Sequence, residues 1–415
     1  MRAKAIGIWL AVAPALAAVA GDPGVTDGEL VLGEAAAFSG PSAGLGVEMW
    51  RGASAAFSAA NEAGGVHGRK IRLVLSDDAY ESEKAAPAVL SLITKEKVFA
   101  LFGGVGTPTI VKALPVVLKY YNDSGLFYFA NFTGAQPQRE PPYDRAVFNV
   151  RASYREETKA AVDAFVAMGK KRIGIFVQDD AYGASGRDGV KRALGAHGLT
   201  IAADTTYPRG QKFEASNAAQ VKILRDAKVD AIIMVGAYQG CGGMVRDSRA
   251  AGWDVPIHNV SFVGADQMIK ILHDDEKRSG AVLTARLVNT QVVPYYQDTS
   301  YPVVVEYQAA MKKFNPGVPD LAKASGYAPS QAFTFGSLEG YLSARIFLAV
   351  LQKGGRDLSR KGFHAAAEAM GKFDVGLKAK AELSPTRHQA LDKVWWTYAT
   401  PAGWAATEDP STVLR

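Results

Sequence analysis

Asn61-Glu62-Ala63-Gly64-Gly65-Val66-His67-Gly68-Arg69-Lys70-Ile71-Arg72-Leu73-Val74-Leu75-Ser76-Asp77-Asp78 closes one element and opens the next. Upstream of it, Val47, Trp50, Ala53, Phe57 and Ala60 recur at three- and four-residue spacing, which predicts a helix over 46–63. Gly64-Gly65 stops that helix. Residues 70–76 then alternate as a strand does and run into Asp77-Asp78. Working outward, 30–34 reads as a strand and Ser39-Gly40-Pro41 as a turn, followed later by a helix over 82–95. The stretch 98–103 is nearly continuously apolar, as buried parallel strands are. A helix over 108–121 and a strand over 126–130 complete the series. A second series follows Arg151, with helices over 155–168, 183–197, 215–227 and 242–251 and strands over 172–177, 199–207 and 230–235. Such alternation predicts an α/β chain of two Rossmann-like lobes, each a parallel sheet flanked by helices. The last third has strand-like stretches at 280–290 and 394–400 and helical ones at 301–313, 327–353 and 358–370. These pieces read as completing the two sheets, so the chain should cross between lobes more than twice.

Residues 1–20 have the layout of a secretory signal: Arg2 and Lys4, an apolar run broken by Pro14, then Ala18-Val19-Ala20. No later stretch holds eighteen uninterrupted apolar residues. A single cysteine, Cys241, cannot form an internal disulfide, which suits an exported bacterial protein of the periplasm. Its Gly-rich setting reads as a buried structural thiol. The net charge of +6 is scattered rather than gathered into a basic stripe, which argues against nucleic acid as a partner.

Enzyme signatures are missing. Gly103-Gly104-Val105-Gly106 lacks nucleotide-loop spacing, and no Gly-x-Ser-x-Gly elbow occurs. The six histidines are widely separated, so neither a metal nor a cofactor is expected. In the tandem carboxylates Asp77-Asp78, Asp179-Asp180 and Asp274-Asp275, adjacent side chains point apart, which suits turns and caps better than catalysis.

Ligands of open parallel sheets bind beyond the strands' carboxyl ends, near helix N-termini. This selects Gly104-Val105-Gly106-Thr107-Pro108, where Thr107 serves as a ligand hydroxyl, a helix cap, or both. It also selects Asn131-Phe132-Thr133-Gly134-Ala135, where Thr133 meets a carboxylate or amide, or the segment is a plain turn. Trp50 lies on the apolar stripe of its helix and reads as core.

Phe38-Ser39-Gly40-Pro41, the 61–68 and 76–78 segments quoted above, Gln178-Asp179-Asp180-Ala181-Tyr182-Gly183 and Arg249-Ala250-Ala251-Gly252 together carry a resemblance. The chain beyond residue 20 resembles the branched-chain amino-acid type of periplasmic solute-binding proteins, which serve ABC importers. The resemblance implies a type I fold with three interlobe crossings, with lobe one at 27–149 plus 282–369 and lobe two at 150–281 plus 370–415. It implies that ligand binds between lobes that close by hinge motion. It places Ser39 and Leu45 on the ligand side after the first strand, with Leu45 where relatives often carry an aromatic ring. Gly106 and Gly134 fall at or beside the hydroxyl positions of relatives, so either Thr107 and Thr133 take over or the carboxylate clamp is weakened. From the opposing lobe it implies Tyr182, Ala237 and Tyr238 as contacts, and Asp266 as partner of a ligand ammonium. The residue-level alternative for Asp266 is a solvated turn. Tyr295 and Tyr296 belong near the hinge or cleft rim, with no role assigned. The implied activity is capture without catalysis. A monomer binds a small organic ligand, by default a branched-chain or aromatic amino acid, and delivers it to an inner-membrane ABC permease. The alternatives are a less polar ligand (aromatic acid, amide or larger apolar molecule) and a sensing subunit of a signalling system.

Overall fold

The computed structural model describes residues 21–414, and the predicted signal segment lies outside them. The first series folds as β1 (Glu29–Ala36), α1 (Ala43–Glu62), β2 (Lys70–Asp77), α2 (Ser82–Thr94), β3 (Ala100–Phe102), α3 (Thr107–Ser124), β4 (Tyr128–Phe129) and β5 (Val147–Phe148). Its sheet has the order β2-β1-β3-β4-β5 and is parallel throughout. The second series is α4 (Tyr154–Ala167), β6 (Ile173–Gln178), α5 (Ala181–Ala196), β7 (Ala203–Tyr207), α6 (Ala218–Asp226), β8 (Ala231–Val235), α7 (Tyr238–Ala250), β9 (Ile257–Asn259), α8 (Ala265–Ser279) and β10 (Leu287–Gln291).

The chain then returns to the first lobe as α9 (Pro302–Phe314), α10 (Phe335–Gly354) and α11 (Arg360–Glu368). Helices α1 and α10 pack backbone to backbone. A Cβ on Gly52 would sit 1.6 Å from the Ser337 carbonyl oxygen, and one on Gly340 would sit 2.0 Å from that of Met49. A small ribbon, β11 (Gly371–Phe373) with β12 (Ala381–Leu383), precedes β13 (Trp395–Thr400), β14 (Gly403–Thr407) and α12 (Ser411–Leu414). The second sheet has the order β14-β13-β10-β9-β8-β6-β7. Three crossings therefore join the lobes, at 149–153, 292–301 and 369–394.

The two-lobed α/β reading agrees with this architecture, and several details differ from it. Strand β10 lies within the segment expected in lobe one, yet it pairs with β9 and β13 of the second sheet, so the crossing comes after it. That sheet is mixed, because β13 runs antiparallel to both β10 and β14. The helix expected from 327 begins only at Phe335, where Thr334 and Ser337 form a reciprocal cap. Pro329 restricts the stretch before it. After β9, Ser261–Val263 forms a 3-10 turn that leads into α8. Helix α7 starts four residues before the expected 242 and takes up Gly240, whose missing Cβ leaves room for the Tyr207 ring.

The first lobe's core is a phenylalanine cluster. Phe363 of α11 stacks on Phe127 at 4.5 Å and meets Phe347 at 5.0 Å. Arg360, one turn earlier, donates Nε and Nη2 to the carbonyls of Phe99 and Val98, both at 2.8 Å. Replacing Phe363 with Ala should cost about 3–5 kcal/mol. Urea denaturation checks this; a loss below about 1 kcal/mol would show that α11 is not a keystone of this lobe.

Candidate functional site

Thr107 opens α3 and Thr133 follows β4, so the parallel sheet brings both to the carboxyl ends of neighbouring strands. Their hydroxyls bond each other at 2.6 Å, and both residues are fully buried. The Thr133 hydroxyl also donates to the Tyr154 phenol oxygen at 3.4 Å. The neighbouring glycines have steric reasons. Gly106 has φ +104°, and a Cβ there would lie 2.2 Å from the Tyr80 ring; one on Gly134 would lie 2.5 Å from the Tyr154 ring. Two tyrosines thus fill the space where side chains would otherwise stand.

Tyr182 lies in the first turn of α5, its N–H held by Asp180 Oδ1 at 2.8 Å. Its ring meets Tyr154 at 5.1 Å and Phe262 at 4.9 Å. Phe262 in turn touches Phe132 at 5.1 Å and Tyr80 at 6.1 Å, which come from the first lobe. A continuous set of rings therefore bridges the lobes. Burial pushes the Tyr182 phenol pKa well up, so the hydroxyl stays neutral.

Beside the rings lies a gap lined from both lobes. Leu45, Glu48, Phe132, Phe335 and Glu339 face Ser261, Asp266, Gln267 and Gln291. The enclosed volume is about 10 Å³, room for one water. An organic ligand therefore enters only with the lobes parted. Hydrogen bonds hold the lobes together around the gap. Tyr238 Oη donates to the Pro41 carbonyl at 2.5 Å, and Gln178 Nε2 donates to Tyr80 Oη at 3.2 Å. Gln267 Nε2 donates to Tyr327 Oη at 3.0 Å.

The charged groups are buried. Arg51 Nη1 donates to both Glu48 oxygens, at 3.0 and 2.8 Å. Arg151 faces Glu157 at 3.1 Å and Glu339 at 3.3 Å, and lies over the rings of Phe132 and Tyr154 at 5.2 and 5.8 Å. Asp266 has no ion pair among the described residues. Its oxygens accept from Phe335 N–H at 2.8 Å and Gln331 Nε2 at 2.9 Å, both across the lobe boundary. Burial, with Glu48 nearby, pushes its carboxyl up to about 7. Burial likewise raises Glu339 to about 7, against the pull of Arg151.

Of the residues singled out in the sequence, Gly106, Thr107, Thr133, Gly134 and Tyr182 gather in the ring cluster, while Leu45 and Asp266 line the gap. Asp266 is thus buried rather than a solvated turn residue. Tyr238 joins the lobes. Ser39 and Ala237 do not reach the gap. Ser39 turns its N–H and hydroxyl to Asp77, and the Ala237 N–H donates to Tyr207 Oη at 2.7 Å. Tyr296 lies beside the cleft, its phenol oxygen accepting from Gln331 Nε2 at 2.9 Å. Sequence reasoning missed Glu48, Tyr80, Arg151, Tyr154, Glu157, Phe262 and Glu339. The available signals were slight: Glu48 and Arg51 one helical turn apart, and Glu339 as a lone carboxylate in an otherwise apolar helix turn.

The sequence profile of the family described as "Periplasmic binding protein" matches residues 30–403. The chain belongs to this family. A solved structure titled as a possible leucine/isoleucine/valine-binding protein from Rhodopirellula baltica is 34% identical, with a TM-score of 0.81 over 94% of this chain and 98% of that one. The Leu/Ile/Val-binding protein homolog 7 of Brucella abortus is 26% identical, covering 88% of this chain and 86% of its own length. A fatty acid ABC transporter substrate-binding protein from Thermomonospora curvata shares the fold at 20% identity, with a TM-score of 0.77 over 94% of each chain. As a member of this periplasmic binding family, the protein is a ligand-binding receptor of the type I fold. No helix among the described residues is long and apolar enough to cross a membrane.

The two raised carboxyls set a pH dependence. Ordinary values are near 3.8 for Asp and 4.5 for Glu, whereas Asp266 and Glu339 hold protons to about 7 in the folded state. From about pH 4 to 7 the folded chain binds more protons than the unfolded one, so their contribution to stability falls as pH rises and levels off above 7. Asp266→Asn should remove part of that fall. Melting temperatures from pH 4 to 8 should show the variant gaining on the wild type as pH rises; parallel curves would mean that Asp266 titrates normally.

Proposed function

We propose that this periplasmic binding protein captures a small organic ligand with an apolar body and a nitrogen-bearing end, by default an aliphatic or aromatic amino acid. We further propose that it works in the periplasm and hands the ligand to the permease of an ABC importer. The observation that carries this reading is the convergence of Glu48 and Glu339 from one lobe and Asp266 from the other on a single gap walled by Leu45, Phe132 and Phe335. Carboxylates that close on a bound cation in a dry cleft make strong charge-assisted hydrogen bonds. The apolar wall supplies affinity for the ligand's body. The names of the Rhodopirellula and Brucella relatives support a ligand of this kind.

Capture would proceed from parted lobes. The ligand settles on one face, the other lobe swings in, and the Tyr238–Pro41 and Phe335–Asp266 hydrogen bonds re-form over it. The permease would read the closed surface. A second reading, a ligand with a larger apolar or aromatic body, is favoured by the rings that bridge the lobes.

A thermal-shift screen across amino acids, aromatic acids, amides and lipids tests the reading. A ligand at a hundred times its Kd should stabilise the protein by about 2.7 kcal/mol. A flat response to every nitrogen-bearing compound would reject the reading. Tyr238→Phe removes one interlobe hydrogen bond, worth about 1 kcal/mol, and should weaken binding roughly fivefold. Titration calorimetry checks this; unchanged affinity would remove Tyr238 from the closing mechanism.

A further inference from the structure

We propose that the cleft selects its guest by positive charge: its ligand class is a primary organic amine with an apolar body, for which an α-carboxylate is dispensable. The inference rests on the receptor reading above and narrows it.

The first support is the charge balance. Four buried carboxylates, Glu48, Glu157, Asp266 and Glu339, stand around two guanidiniums, Arg51 and Arg151. Glu48 takes up the charge of Arg51, while Glu157 and Glu339 share the single charge of Arg151. Asp266 is left with neutral donors alone: the Phe335 N–H, the Gln331 amide and the Tyr296 phenol. Arg139 also acts on Glu157 and Glu339, but Glu156 acts on it more strongly; with these five carboxylates ionised, the three guanidiniums leave two negative charges in excess. Buried charge without a partner is costly, and an arriving ammonium relieves it. A –NH3+ group brings three donors and no acceptor, which matches carboxylate oxygens from opposite lobes.

The second support is the state of the hydroxyl pair. Thr107 and Thr133 bond each other, and Tyr154 and Tyr80 fill the space beside Gly106 and Gly134. A ligand carboxylate would have to break that pair and displace rings. Arg151 is the remaining anion partner in reach. Its Nε and Nη1 have no hydrogen-bond acceptor, but its charge is already claimed twice. A third carboxylate there would sit against Glu157 and Glu339.

A pH dependence follows from the same groups. Asp266 faces Glu48, Tyr295, Tyr296 and Gln331, while Glu339 faces Arg151, Glu157 and Arg139. Protons taken up by Asp266 and Glu339 compete with a cationic guest, so its affinity should fall as pH drops below about 7.

Calorimetric titration with two matched sets tests this. One set is leucine, 3-methylbutylamine (no carboxylate) and 4-methylpentanoate (no amine). The other is phenylalanine, 2-phenylethylamine and 3-phenylpropanoate. In at least one set the amine should bind within tenfold of the amino acid or tighter, and the acid at least a hundredfold more weakly. The amine's affinity should drop at least tenfold from pH 8 to pH 5.5, and at least tenfold in Asp266→Asn at pH 8. A control melting curve shows that the variant is folded. If it is not, Asp266→Glu, which keeps the charge, serves instead and should retain amine binding. Amino acids that bind while both amines are more than a hundredfold weaker would overturn the inference and leave the receptor reading intact. Acids that bind in place of amines would overturn it and reassign recognition to Arg151. Failure of both amines and both amino acids overturns it as well. The wider thermal-shift panel then decides whether the receptor reading falls too.

Discussion

The guanidinium of Arg151 belongs to both lobes at once. It sits on the first crossing, reaches Glu157 in α4 of the second lobe and Glu339 in α10 of the first, and lies over rings contributed by each. Its backbone carbonyl accepts from Arg139 Nη2 at 3.2 Å. Arg139 Nη1 also donates to the Thr133 carbonyl at 3.3 Å, so the crossing is tied to a cleft loop. Removing one partner of such a buried pair typically costs about 3–5 kcal/mol, because the other charge is stranded. The cleft geometry depends on this charge in a way that apolar contacts alone would not impose. Its orientation aligns two carboxylates from separate domains, and Glu157 in turn accepts from Ser261 N–H and Thr290 Oγ1, each at 2.7 Å.

Around this centre the backbone is arranged to let rings approach. Gly106 and Gly134 yield to Tyr80 and Tyr154, Gly264 yields to Leu45 and Tyr238, and Gly52 and Gly340 let α1 and α10 touch. The same helix contact delivers Glu48 and Glu339 to the lining of one gap, since each lies one residue from the close approach at Met49 and Gly340. Packing and electrostatics are therefore not separable here. The glycines that let two helices meet are also the ones that bring two carboxylates to one wall.

The repeating βα grammar was legible because it is local: a helical stripe ended by Gly64-Gly65, then an alternating strand, is a statement about neighbours in sequence. The cleft loops were legible as well, since parallel sheets fix which strand ends face a ligand. Strand β10 was harder to place. Leu-Val-Asn-Thr-Gln carries no mark of which sheet it joins, and only pairing with Ile257–Asn259 decides that. The charge network was illegible for a related reason. Arg151, Glu157, Glu339 and Glu48 come from four separate segments, and a charged residue on a helix reads as solvated unless something outside its own segment buries it. Gly106 and Gly134 looked like lost hydroxyls; the tyrosines that occupy their space lie 26 and 20 residues away in sequence and gave no local hint.

A hinged receptor must have lobes that are stable apart and only modestly more stable together, because a ligand shifts the balance only by the difference in its affinity for the two states. The interlobe contacts here fit that requirement. The apolar rings and the Tyr238, Gln178 and Gln267 hydrogen bonds favour closure, while buried carboxylates without sufficient counter-charge oppose it. The proposed cationic guest would act on the opposing term, since it would remove repulsion instead of adding one more attraction to an already favourable interface. Asp266 is placed to transmit this. It lies in the first turn of α8 in the second lobe, yet its carboxylate accepts the first N–H of α10 in the first. Charge at Asp266 is favoured by the N-terminal end of α10 and disfavoured by burial beside Glu48. On the proposed reading, ligand recognition uses Asp266, a position where the helix end and burial beside Glu48 act on the charge in opposite directions.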